Sequence, residues 1–86
     1  MHEFSLMANL LEKINHIAQS NHAEKVTKVK VVIGAMAHIS PEHFRGHFEQ
    51  GTIGTIAENA LLDVRLNPNQ DDPHAGEILL ESVDVQ

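Results

Sequence analysis

Apolar side chains recur at helical spacing near the start of the chain and at alternating positions farther along it. Between residues 5 and 20 they follow the i, i+3, i+4 spacing of one helix face, and polar residues occupy the other side. Asn21 and His22 follow, and asparagine tolerates the left-handed conformation in which helices end. The pattern therefore predicts an amphipathic helix over residues 5–20. Its apolar positions are Met7, Leu10, Leu11, Ile14, Ile17 and Ala18.

Three later segments are predicted as strands and one as a helix. Residues 25–33 and 61–67 alternate apolar and polar side chains, the period of 2 typical of a half-buried strand. Residues 77–86 alternate less cleanly, which a bulge or an exposed apolar strip would explain. Ser40-Pro41 favours a helix start, because serine caps free backbone N–H groups and proline suits the first helical position.

The resulting order predicts an α+β fold: a single α-β-α-β-β domain over residues 1–86, with two helices packed on one face of a three-stranded mixed sheet. The last two strands are separated only by residues 67–76, so we expect them to pair as an antiparallel hairpin. The opposite face of the sheet is expected to be solvated or to contact a partner, and it carries Lys28, Lys30, Asp63 and Arg65.

The composition argues against several classes of function. The formal net charge is −6, and the aromatic residues are three Phe with no Tyr or Trp. An acidic chain with no basic cluster and few rings for stacking is not expected to bind nucleic acid. The absence of cysteine excludes disulfides, thiolate nucleophiles and thiolate zinc sites. No signal peptide or membrane-spanning stretch is recognisable, so a cytoplasmic protein without membrane contact is expected.

The amino terminus, Met1-His2-Glu3, is a candidate metal site. The α-amine, the backbone nitrogen of His2 and the His2 imidazole can close two adjacent chelate rings on one ion, with the Glu3 carboxylate beside them. Nitrogen donors in a plane suit Ni(II) or Cu(II), and affinity should rise with pH because the backbone nitrogen must lose its proton. The alternative is an ordinary solvated terminus, since any chain that starts Met-His has these groups.

Seven histidines are an unusual number for 86 residues. Two of them, His43 and His47, have the i, i+4 spacing that can chelate a metal ion on a helix. The zinc-protease pattern H-E-x-x-H is absent because Glu42 precedes His43, so a solvated or partly packed pair is favoured. No nucleophile–base pair or phosphate-binding loop is found, and the chain is not expected to be an enzyme.

Four segments of the chain share an order and spacing with a known family. They are the start MHEFSL, the strand end VVIGAMAHISPEHF, the stretch FEQGTIGTIAENALLDV and the terminal ESVDVQ. Together they resemble the HypA/HybF family of nickel-incorporation proteins over nearly the whole chain. The resemblance implies that Met1, His2 and Glu3 bind Ni(II). It also implies a metallochaperone that delivers nickel during maturation of NiFe-hydrogenase and, in some organisms, of urease.

The implied partners are the precursor of the hydrogenase large subunit and a HypB-type GTPase, and a homodimer is left open. The chain departs from the family in one respect. Family members normally carry a zinc domain with two CxxC pairs between the last two strands, whereas this chain has only NPNQDDPHAG, residues 67–76, and no cysteine. We therefore expect this loop in place of the zinc domain, and no structural zinc.

This loop contains one further candidate ligand, His74. A histidine near the zinc domain can complete the nickel site in the family, so His74 could serve in its place. The alternative is a solvated loop whose Asp71 and Asp72 cap turns. The departure also supports a second function, a metal-free interaction or scaffold module that binds a maturation partner through Glu3 or the open sheet face.

Overall fold

The chain folds into two helices and three strands in the predicted order. The computed structural model describes residues 3–86, with side chains from residue 5 onward. The elements are α1 (Glu3–Ser20), β1 (Val26–Gly34), α2 (Pro41–Gly51), β2 (Leu61–Asn67) and β3 (Ile78–Val85). The α+β class is confirmed, and the boundaries lie close to those that the hydrophobic period predicts. Neither helix of this described part is long and apolar enough to cross a membrane.

The sheet has the order β2-β1-β3, with β1 at its centre. β1 pairs in parallel with β2 and antiparallel with β3, so the predicted mixed sheet is confirmed. The predicted hairpin of the last two strands is wrong, because β2 and β3 pair with opposite edges of β1. The connection between them, residues 68–77, carries the chain across the end of β1. Central placement satisfies backbone groups on both edges of β1, the strand with the most buried side chains.

The pairing of β3 with β1 contains the irregularity that its apolar pattern suggested. Lys30 pairs with Ser82, whereas the next residue, Val31, pairs with Leu80, so the register skips Glu81. A residue inserted in this way reverses the faces of the side chains beyond it. Leu80 and Val83 therefore both pack against the core, although they are three positions apart and would face opposite sides of a regular strand.

Both helices pack against one face of the sheet, as predicted. α2 contributes Phe44 and Phe48, whose rings stack with centroids 6.3 Å apart. Burying one phenylalanine side chain stabilises a fold by about 1.5–3 kcal/mol relative to leaving it exposed. The two rings join a single apolar cluster, which also includes Met7, Leu10, Ile14 and Ala18 of α1 and Val29, Val31 and Ile33 of β1.

The topology gives the molecule two distinct ends. A short turn joins α1 to β1, and α2 is the crossover between the parallel strands β1 and β2, so both helices run antiparallel to β1. One end, the helix-start end, therefore contains the starts of α1 and α2 and the connections 35–40 and 68–77. The opposite end contains residues 21–25 and 52–60, where Val26 N–H donates to Ile56 O at 3.0 Å.

Candidate functional site

The terminal chelate that the sequence predicts lies mostly outside the described residues. Met1 and His2 are not described, and Glu3 is described only as the first backbone position of α1. What the fold provides is the location of the segment that follows them. α1 starts at the helix-start end of the sheet. The question for the remaining candidate ligand, His74, is therefore whether it lies at the same end.

His74 lies in the β2–β3 connection, where two acidic side chains hold it. Its Nδ1 is 3.0 Å from Glu77 Oε2, and its backbone N–H donates to Asp72 Oδ1 at 2.7 Å. The hydrogen bond and the charge of Glu77 raise the pKa of His74 above its ordinary value of 6.5. Because a carboxylate holds Nδ1, the Nε2 atom is the ring nitrogen positioned to bind a metal ion.

The connection that contains His74 folds back against the end of β1. Met36 N–H donates to Ala75 O at 2.7 Å, and Gly34 N–H donates to Glu77 O at 2.9 Å. A Cβ atom at Gly34 would lie only 2.3 Å from Ala75 O, so this close approach requires glycine. The loop that carries His74 is thus tied to the helix-start end of the sheet.

The carboxylate of Asp72 also has a structural role in this connection. Asp72 accepts a hydrogen bond from the His74 backbone and another, at 3.0 Å, from the side-chain amide of Asn67. The expectation that aspartate caps a turn here is confirmed for Asp72. This capping engages the Asp72 carboxylate and leaves the ring of His74 exposed, so it is compatible with a ligand role for the imidazole.

α2 places two more histidines side by side. The Ser40 hydroxyl accepts a hydrogen bond from His43 N–H at 3.1 Å, which caps the helix and fixes His43 in its first turn. His47 lies one turn later, and the two Nε2 atoms are 3.0 Å apart. The sequence showed the spacing of this pair but not its ring geometry, because side-chain rotamers decide whether two neighbouring imidazoles converge.

The described side chains contain no group of three or more His, Asp or Glu placed to hold one metal ion. A complete metal site among residues 5–86 is therefore not formed by these groups alone. His74, the His43–His47 pair and the start of α1 are separate features that share the helix-start end. The side chains of Met1, His2 and Glu3, the ligands that the sequence predicts, lie outside this described part.

Comparisons with known proteins agree with this fold and with the sequence resemblance. A family model described as hydrogenase/urease nickel incorporation, metallochaperone, hypA matches residues 1–71. The chain is 32% identical over 68 residues to the hydrogenase maturation factor HypA of Shewanella baltica (strain OS195), covering 79% of this chain and 58% of that protein. It is 42% identical over 62 residues to the HypA of Aquifex aeolicus (strain VF5), covering 72% and 54%.

The chain thus spans a little over half the length of these relatives. The fold is similar to the solution structure of the Ni metallochaperone HypA from Helicobacter pylori, with a TM-score of 0.79 at 22% identity over 99% of this chain and 97% of that chain. Because the family model covers most of the chain, from its first residue through β2, the chain belongs to the HypA family.

Proposed function

We propose that this protein is a nickel-binding metallochaperone that takes part in the maturation of NiFe-hydrogenase or urease. The observation that carries the proposal is the match of residues 1–71 to a family described by nickel incorporation. In this proposal Met1, His2 and Glu3 hold Ni(II) as cargo, and His74 is an additional ligand. The protein acts as a carrier and has no catalytic role of its own.

A terminal chelate suits a carrier because it binds and releases its cargo at an accessible site. The α-amine, the His2 backbone nitrogen and the His2 imidazole supply nitrogen donors in one plane, which suits Ni(II). Two of these donors must lose a proton before they bind. Nickel affinity should therefore fall as the pH falls.

The position of His74 supports its inclusion in the site. Its connection is tied to the helix-start end, where α1 begins. Glu77 engages Nδ1 at 3.0 Å, an arrangement in which a carboxylate orients a metal-binding imidazole and leaves Nε2 for the ion. Protonated His74 has to release a proton to bind metal, which adds to the pH dependence.

We also propose that residues 67–76 take the place of the zinc domain, so that nickel binding in this chain does not depend on structural zinc. The chain carries no cysteine that could form such a domain. Its proposed partners are the hydrogenase large subunit precursor and a HypB-type GTPase. A metal-free scaffold module that binds a maturation partner is the alternative function, and the absence of the cysteine ligands favours it.

A calorimetric titration with Ni(II) separates these functions. The untagged protein is compared with a version that has one extra residue before Met1, which moves the amine and keeps every side chain. We expect the extension and His2→Ala each to weaken the terminal site by about tenfold to 100-fold or more, since each removes a ligand. His74→Ala should weaken it less, and His16→Ala, an exposed histidine of α1, serves as the control.

Two outcomes would contradict the terminal chelate. Equal affinity in the extended and untagged proteins would remove the amine from the site, and no nickel binding by either protein would favour the scaffold function. Intact-mass spectrometry of the untagged protein checks that Met1 carries a free amine. Far-UV circular dichroism checks that each variant keeps its fold.

A further inference from the structure

The histidine pair on α2 has the geometry of a bidentate metal site. His43 and His47 approach through their Nε2 atoms, which are 3.0 Å apart, although the ring centroids are 4.6 Å apart. The nitrogens are thus closer than the ring centroids, so the Nε2 edges of the two imidazoles face each other. The rings are inclined by 50°, so they do not lie flat against each other as a stacked pair would.

The separation of the two nitrogens matches a particular coordination angle. Imidazole nitrogens bind first-row divalent ions at about 2.0–2.1 Å, so two of them are roughly 2.9 Å apart at a right angle and roughly 3.4 Å apart at a tetrahedral angle. The observed 3.0 Å corresponds to the right angle. Right-angled nitrogen donors are typical of square-planar or octahedral ions, Ni(II) and Cu(II) among them.

The local structure of α2 holds His43 and His47 at a fixed spacing. The Ser40 hydroxyl caps α2 by accepting from His43 N–H, and the buried Phe44 and Phe48 anchor the adjacent face of the same helix turn. The helix therefore fixes both Cβ positions one turn apart, at the spacing that allows two side chains to reach a common ion. The same 3.0 Å separation accommodates an imidazole–imidazole hydrogen bond in the absence of metal.

We propose that His43 and His47 form a second metal site, a bidentate one for a divalent transition-metal ion such as Ni(II). The two imidazoles supply two of the ion's ligands. His43 and His47 are not ligands of the proposed terminal chelate, so the two sites use different side chains. It also lies near the start of α1, since Met7, Ala8 and His47 line one cleft between the helices.

The protein with one extra residue before Met1 isolates this second site, because it disrupts the terminal chelate. We expect calorimetry to detect one equivalent of Ni(II) bound by this extended protein. His43→Gln and His47→Gln, each made in the extended background, should reduce its affinity about tenfold to 100-fold or more. His16→Gln is the matched control, an exposed histidine on the other helix, and should change nothing.

The proposal is overturned if the extended protein binds no Ni(II), or if it binds equally well with His43→Gln and His47→Gln. A measurement without substitutions provides a second test. Substoichiometric Ni(II), a paramagnetic ion, should broaden the ring resonances of both His43 and His47 in the extended protein, and broadening confined to other histidines would refute the site. Failure of the terminal chelate would show instead as equal titrations of extended and untagged protein.

Discussion

The carboxylate of Glu77 sets both the orientation and the proton affinity of His74. Its Oε2 is 3.0 Å from Nδ1, and this contact is the main reason that the pKa of His74 lies above 6.5. Both groups are exposed, so the pair contributes little to the stability of the fold. Its consequence is chemical, because a proton competes with a metal ion for the imidazole.

Replacing the carboxylate tests this account of His74. Glu77→Gln should lower the pKa of His74 towards 6.5, because both the charge and the ionic hydrogen bond are lost. The shift is measured by following the imidazole resonances of His74 against pH. Glu12→Gln, on the exposed side of α1, is the control and should leave the His74 curve unchanged. An unchanged curve in Glu77→Gln would assign the raised pKa to another group.

The raised pKa of His74 determines how the His74–Glu77 pair affects the stability of the fold as the pH changes. The folded state binds the His74 proton more tightly than the unfolded state, so the pair stabilises the fold fully below pH 6.5. This contribution is lost as the pH rises through the folded-state pKa. Metal binding at His74 has the opposite dependence, because it requires the deprotonated ring.

His74 could be identified from the sequence as a candidate ligand because it is the only histidine of the β2–β3 connection. Its contact with Glu77 could not be derived in the same way. The contact depends on turns that Asp72 closes through its side chain, and several turn types fit such a composition. The i, i+4 spacing of His43 and His47 was clear from the sequence, but the close approach of their Nε2 atoms could not be derived from it.

At the scale of the elements, the hydrophobic pattern predicted the helices and strands correctly, because the burial of neighbouring side chains determines them. The register of α1 and the alternation of β1 follow from which side chains each element buries. Strand order is a non-local property, and here the short connection suggested a hairpin that does not form. The chain crosses the end of β1 instead, through hydrogen bonds from Gly34 and Met36 to the connection.

This crossing depends on the lack of a side chain at Gly34, which a substitution can test. Gly34→Ala would place a Cβ 2.3 Å from Ala75 O and 2.7 Å from His74 O, both backbone atoms. We expect the substitution to lower the free energy of unfolding by about 1–3 kcal/mol, the usual cost of overpacking. Urea denaturation followed by circular dichroism provides the measurement.

Gly46→Ala is the matched control for this substitution. Gly46 lies inside α2, and an added Cβ there meets no atom within 4 Å. Alanine in a helix interior should raise the stability by about 0.5–1 kcal/mol. We therefore expect Gly34→Ala to lower the free energy of unfolding and Gly46→Ala to raise it. A Gly34→Ala protein as stable as the parent would mean that the connection can move away from β1 without loss.

At the scale of the whole molecule, the fold places His74, the His43–His47 pair and the start of α1 at one end. Parallel helices that both run antiparallel to β1 bring together the starts of α1 and α2, and the β2–β3 connection reaches the same end by crossing β1. Segments far apart in the sequence therefore share the helix-start end. His16 and His22 lie towards the other end, in the second half of α1 and the turn that follows it.

This arrangement predicts where a paramagnetic ion broadens the NMR spectrum. Substoichiometric Ni(II) added to the untagged protein should broaden amide signals of residues 35–40 and 68–77 and of the first turn of α2. Signals from residues 21–25 and 52–60, at the opposite end, should persist. An equal amount of diamagnetic Zn(II) is the control and should broaden neither group by a paramagnetic effect. Broadening centred on His22 would place the bound ion at the wrong end of the fold, and both proposed sites would then be rejected together.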